Sequence, residues 1–237
     1  MAFDDDVQGI AALRDPVRRA LYGYVAGAPA PVSRDDAAVE TGISRATAAF
    51  HLDRLVAEGL LVTEFRRLTG RQGPGAGRPA KLYHRAPRDI SVSLPPRAYD
   101  LAADLLARAV HTSSQTGTEI ATAVRRVARQ HGRTIGAAVR ERAGGRASRR
   151  TLVGATLDAL ADHGYEPRPT RDGITLANCP FHRLATEHTD LVCGMNHALL
   201  GGLADAVGDG VLSARLDPAP DRCCVCIDTH QTSSRRS

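Results

Sequence analysis

The richest chemistry in this sequence lies in its five cysteines, Cys179, Cys193, Cys223, Cys224 and Cys226, none of which occurs before residue 179. They fall in three stretches: Asn178-Cys179-Pro180-Phe181-His182, Leu191-Val192-Cys193-Gly194 and Asp221-Arg222-Cys223-Cys224-Val225-Cys226. Four thiolates, or three with another ligand, can hold an iron–sulfur cluster, and the same set can hold tetrahedral zinc. A thiol pair can instead cycle through a disulfide, and a buried cysteine can simply pack as a small apolar residue. The separations between the stretches are long, so the fold must bring the three together. His182 and His188 stand nearby as alternative ligands. Strand alternation puts Cys224 and Cys226 on one face and Cys223 on the other, unless a bulge or turn intervenes.

A second constellation occupies residues 44–58. Ser44 is a helix N-cap, and Gly59 ends the helix that follows. Ala48, Leu52 and Leu55 share the face that packs inward, while Thr47, Phe50, His51 and Arg54 lie opposite. Arg and Thr reach base edges in a major groove, and Phe touches a thymine methyl. Arg45, beside the cap, is placed for a phosphate at the helix N-terminus. From Phe65 to Arg88 come Arg66, Arg67, Arg71, Arg78, Lys81, Arg85 and Arg88, with no acidic residue among them. Such a stretch favours duplex DNA through counterion release. Gly77-Arg78-Pro79 presents an arginine suited to a narrow minor groove. The net charge of +5 and pI near 9.2 agree with an anionic partner, although an Arg-rich, Lys-poor bias weakens charge alone as a signal.

The elements that must position these residues follow from apolar spacing. Residues 7–27 read as two helices broken near Asp15, and Ser33 caps a short helix that Gly42 ends. Leu60–Arg67 and Lys81–Arg85 read as a two-stranded wing around a Gly-rich loop. Helices are predicted from Pro95/Pro96 to about His111, over roughly 116–142, over 149–163 and over 190–207. Strands are predicted at 174–178, 211–216 and 223–227. The fold class expected is α+β. Its parts are a winged helix-turn-helix DNA-binding domain over 1–90, a helical linker and dimerisation region over 91–148, a mixed α/β cysteine-bearing sensor domain over 149–230, and a polar tail over 231–237. Ile120, Val124, Val127, Ile135 and Val139 make a helix face suited to a second subunit.

Residues 10–62 resemble the ArsR-type winged-helix repressors. The likeness rests on Ala12-Leu13-Arg14-Asp15-Pro16-Val17-Arg18-Arg19, on Ser44-Arg-Ala-Thr-Ala-Ala-Phe-His-Leu-Asp-Arg-Leu55 and on Glu58-Gly59-Leu60-Leu61-Val62. The Gly77-Arg-Pro-Ala-Lys81 wing is similar to that of the SufR-type regulators of iron–sulfur cluster assembly. The resemblance implies a homodimer on a two-fold DNA operator, contacted by Ser44, Arg45, Thr47, Phe50, His51, Arg54, Arg78 and Lys81. It also implies a cluster held by Cys179 and Cys193 first, then Cys224 or Cys223. The run Cys223-Cys224-Val225-Cys226 departs from that pattern and leaves the third ligand open.

The function that follows is a transcriptional regulator, a repressor, whose operator affinity answers to the cluster. A zinc or thiol switch is the alternative, and a redox enzyme a more distant one. No dinucleotide fingerprint, nucleophile elbow or paired-carboxylate motif accompanies the cysteines. An acidic start and the lack of a long apolar stretch point to a cytoplasmic chain that meets no membrane.

Overall fold

A computed structural model describes residues 2–67, 79–208 and 210–230. It divides into two compact units, Met1–Val92 and Ser93–Ser237.

In the first unit, α1 (Ala2–Ala12) and α2 (Pro16–Gly27) are separated by a turn. Asp15 caps α2, its carboxylate accepting from the Val17 and Arg18 amides, with Pro16 fitting the first turn. A short strand, β1 (Val32–Ser33), leads into α3 (Arg34–Thr41), where Ser33 and Asp36 form a reciprocal capping box. Gly42, at φ 67°, ends α3 in the left-handed region that glycine adopts without steric cost. Then come α4 (Arg45–Ala57), β2 (Leu61–Arg66) and β3 (Ala80–Arg85). The strands form an antiparallel sheet in the order β1-β3-β2. Strand β1 is only two residues long, too short to show as alternation in the sequence, and gains its identity by pairing Val32 with Tyr83. Leu21, Leu52, Leu55, Leu61 and Tyr83 are fully buried at the centre.

The second unit holds α5 (Tyr99–Thr116), α6 (Ile120–Ala143), α7 (Arg149–Asp162), β4 (Pro167–Pro169), β5 (Gly173–Leu176), α8 (His182–Glu187), α9 (Thr189–Val207), β6 (Leu212–Leu216) and β7 (Val225–Thr229). The sheet is antiparallel, in the order β4-β5-β7-β6. With prolines at both ends, β4 lies on the edge of the sheet, where a strand tolerates a residue that cannot donate. Helix α9 covers the sheet and packs along α6. A Cβ built on Gly132 would come within 1.8 Å of the Leu199 carbonyl, and one on Gly202 within 2.0 Å of the Arg129 carbonyl. The two backbones touch because the residues between them lack side chains.

Two expectations change here. Residues 91–148 do not stand apart as a linker, because α5 and α6 share one core with the cysteine-bearing segments. Val124, Val127, Ile135 and Val139 are buried inside their own chain, and only Ile120 of that face stays substantially exposed. Helix α5 starts at Tyr99, later than Pro95/Pro96 predict. The Pro96 carbonyl accepts from Asn178 and the Ala98 amide donates to Pro180, so tertiary bonds hold this segment out of the helix.

Candidate nucleic-acid interface and thiol site

Helix α4 stands after the tight Gly42 turn and before the wing, as a helix-turn-helix requires. Ser44 Oγ accepts from the Thr47 amide at 3.1 Å and lies 2.8 Å from Thr47 Oγ1. Ala48, Leu52 and Leu55 face inward, as their spacing predicts. On the opposite face Phe50 is 68% exposed and Arg54 is also exposed. Thr47 and His51 are half-buried. The His51 ring meets Phe50 edge-on with centroids 5.2 Å apart, and its Nδ1 is buried without a hydrogen-bond partner. Of these four, Phe50 and Arg54 are the most exposed.

The basic residues are less free than their number implies. Arg45 pairs with Asp35, Arg54 with Glu58 at 2.6 Å, and Arg88 with Asp6 at 2.8 Å. The stretch from Phe65 to Arg88 lacks acids, but acids just outside it reach in. Lys81, the chain's only lysine, is already engaged within the unit. Its Nζ binds Asp53 Oδ1 on α4 at 2.6 Å and sits 5.3 Å above the Tyr83 ring. The Tyr83 hydroxyl donates to the same oxygen at 2.8 Å. Lys81 thus ties the wing to the helix. Burial pushes the Asp53 carboxyl up, yet the hydrogen bonds from Lys81 and Tyr83 outweigh it and hold the group below its usual range. Burial and the bond to Asp53 push the Tyr83 phenol up. Arg78 and the wing tip lie outside the described residues.

In the second unit the fold gathers Cys179, Cys193, Cys223 and Cys224. Cys179 follows β5, Cys193 is in the second turn of α9, and the vicinal pair precedes β7. The thiols interact in a chain, Cys179 with Cys223, Cys223 with Cys224, and Cys224 with Cys193. Thiol hydrogen bonds from Cys179 and Cys224 pull the Cys223 thiol down, helped by the Val225 amide and by Asn196. Donation to Cys223, with burial, pushes Cys179 and Cys224 up. All five cysteines are free. Among the described residues no three His, Cys, Asp or Glu side chains already stand as a cage around a metal ion.

The strand rule did not assign the vicinal pair, because β7 starts only at Val225. Asp221 sits at φ 56° in the turn before them, and the Cys223 amide donates to Leu176. Cys226 goes elsewhere. Arg222 Nη1 donates to its Sγ at 2.6 Å, and Arg222 Nη2 holds Asp217 at 2.8 Å. His182 and His188 are exposed on and after α8, and no interaction joins them to the thiols.

Several residues of the site were not anticipated. Asn196 is 1% exposed and its Nδ2 donates to Cys223 Sγ at 3.2 Å. The buried Tyr165 hydroxyl donates to Asn196 Oδ1 at 2.5 Å, which fixes the amide's orientation. Asn178 bonds the Gly164 carbonyl at 2.6 Å, and Arg97 bonds the Cys179 carbonyl at 3.0 Å, strapping the Cys179 loop. The one available signal was Asn196 itself, a polar residue inside an apolar helical stripe, where a buried amide needs a partner.

Residues 13–64 match a family model described as a helix-turn-helix domain. No curated protein and no solved structure matches the chain. The matched interval runs through the turn at Gly42 and the whole of α4, and it supports a DNA-binding transcriptional regulator.

Proposed function

We propose that this regulator is a repressor whose operator affinity follows the state of an iron–sulfur cluster held by Cys179, Cys193, Cys223 and Cys224. The observation that carries the reading is the convergence of four thiols from three distant segments, with Cys226 kept apart by Arg222. The donor set suits a cluster in its chemistry. A bound cluster would supply a redox-active, labile centre. The chain's own part is to offer sulfur ligands and to place N–H groups on them. Asn196, oriented by Tyr165, donates to Cys223, and the Val225 and Phe181 amides support Cys223 and Cys179. Such donors stabilise thiolate charge and tune the bound group. Zinc, held by the same four sulfurs, is the second reading and rests on the same convergence.

On DNA, Phe50 and Arg54 enter the major groove, and a homodimer presents two copies of α4 to a two-fold operator. The exposed stripe of Phe3, Val7 and Ile10 along α1 supports a second subunit covering that helix.

Purification without oxygen, followed by iron, sulfide and zinc analysis, tests the proposal. A cluster gives a brown protein with iron and sulfide in equal amounts, and zinc gives a colourless one. Cys179→Ser and Cys193→Ser should each abolish iron retention, while Cys226→Ser should keep it. Iron unchanged in the first two variants, or lost equally in all three, would overturn the ligand set. Phe50→Ala should weaken operator binding several-fold with the fold intact. Unaltered binding would take α4 off the duplex.

A further inference from the structure

Away from the thiols, a cleft of about 730 Å³ opens between the first turn of α7 and the β4–β5 turn. Arg149 and Arg150 line it from α7, Arg171 from the turn, and Val153 and Ile174 give it an apolar side. Its size lies within the range of roughly 300–1,000 Å³ usual for small-molecule sites. Among the described residues, none of these three arginines has an ion pair or a side-chain hydrogen bond, and Nε of Arg149 is buried with no partner. Carboxylates are within reach, yet they do not neutralise the cleft. Asp228, on its wall, is held by Arg215 at 2.9 Å, and Arg215 also holds Asp217 at 2.9 Å. Asp172 is the only other acid on the lining.

Three guanidinium groups without an anion partner favour an anionic ligand, and a phosphate oxygen is the acceptor their planar forks match best. The first turn of α7 adds amides that favour the same charge. Val153 and Ile174 ask for a ring or alkyl group on the ligand. We propose that this cleft binds a small organic phosphate, its phosphate on Arg149, Arg150 and Arg171 and its apolar part against Val153 and Ile174. A duplex backbone offers phosphates too, but it is a rod and fills a concave cleft poorly.

The test is calorimetry on the full chain with phenyl phosphate as the probe, with inorganic phosphate and a non-operator duplex in separate arms. Phenyl phosphate should bind in the millimolar range or tighter, and more strongly than inorganic phosphate. Arg149→Gln/Arg171→Gln should weaken phenyl phosphate at least about tenfold while leaving the melting temperature and operator binding unchanged. Arg149→Lys should recover only part of the affinity, since a point charge replaces a fork. Three outcomes overturn the proposal. They are no heat of binding, affinity unchanged in the double variant, or duplex binding that displaces phenyl phosphate and falls in the same variant.

Discussion

At the scale of single residues, the charged side chains of the first unit act on one another before they act on DNA. Asp53 shows this best, since one carboxylate receives Lys81 and the buried Tyr83 hydroxyl together. Asp53→Asn should destabilise the unit by about 1 kcal/mol at neutral pH, because the Lys81 contact is partly exposed and the loss falls mainly on Tyr83. The folded Asp53 carboxyl lies below its unfolded value, so its contribution is present above the ordinary aspartate range and is lost as pH falls through the depressed folded value. Wild type and variant should therefore converge in acid. Urea denaturation at neutral and acidic pH measures this, and a gap that stays constant would mean the carboxylate charge is idle. The aspartate and lysine are plain in the sequence, but they lie 28 positions apart and only the wing's fold makes them partners.

At the scale of elements, the spine of the second unit is the contact between α6 and α9. Gly132-Arg-Thr-Ile-Gly136 puts two glycines on one face of α6, where they meet backbone atoms of Leu199 and Leu203. Gly132→Ala should lower stability by about 1–3 kcal/mol or more, since its methyl would overlap a carbonyl that cannot rotate away. Gly154→Ala on α7, with nothing within 4 Å of the new methyl, should raise stability by up to about 1 kcal/mol. Thermal melts of the two variants check the contrast, and equal shifts would refute the close crossing. Because α9 carries Cys193 and Asn196, the same crossing fixes two members of the thiol site. Helical glycines read in sequence as weak positions. What they approach cannot be seen there, and the face containing Val124, Val127, Ile135 and Val139 was accordingly assigned to a second subunit.

At the scale of the whole molecule, each unit has its own core, one around Leu21, Leu52 and Leu55 and the other around Leu160, Met195 and Leu199. A fragment of residues 1–92 should therefore fold alone, with a helical circular dichroism spectrum and a cooperative melt. A featureless melt would show that its core is incomplete. The sequence by itself determined the order of helices and wing strands, the inward face of α4, the break near Asp15 and the caps at Ser33 and Ser44. These features depend on residues at most a few positions apart, where spacing and local hydrogen bonds decide the outcome. It also named the four thiols but could not show that they come together while Cys226 bonds Arg222 instead. Only the tertiary structure decided those matters, together with the engagement of Lys81 and the inward burial of α6. Each is a contact between segments tens of residues apart, and such contacts are selected by the packing of the whole unit rather than by any local preference.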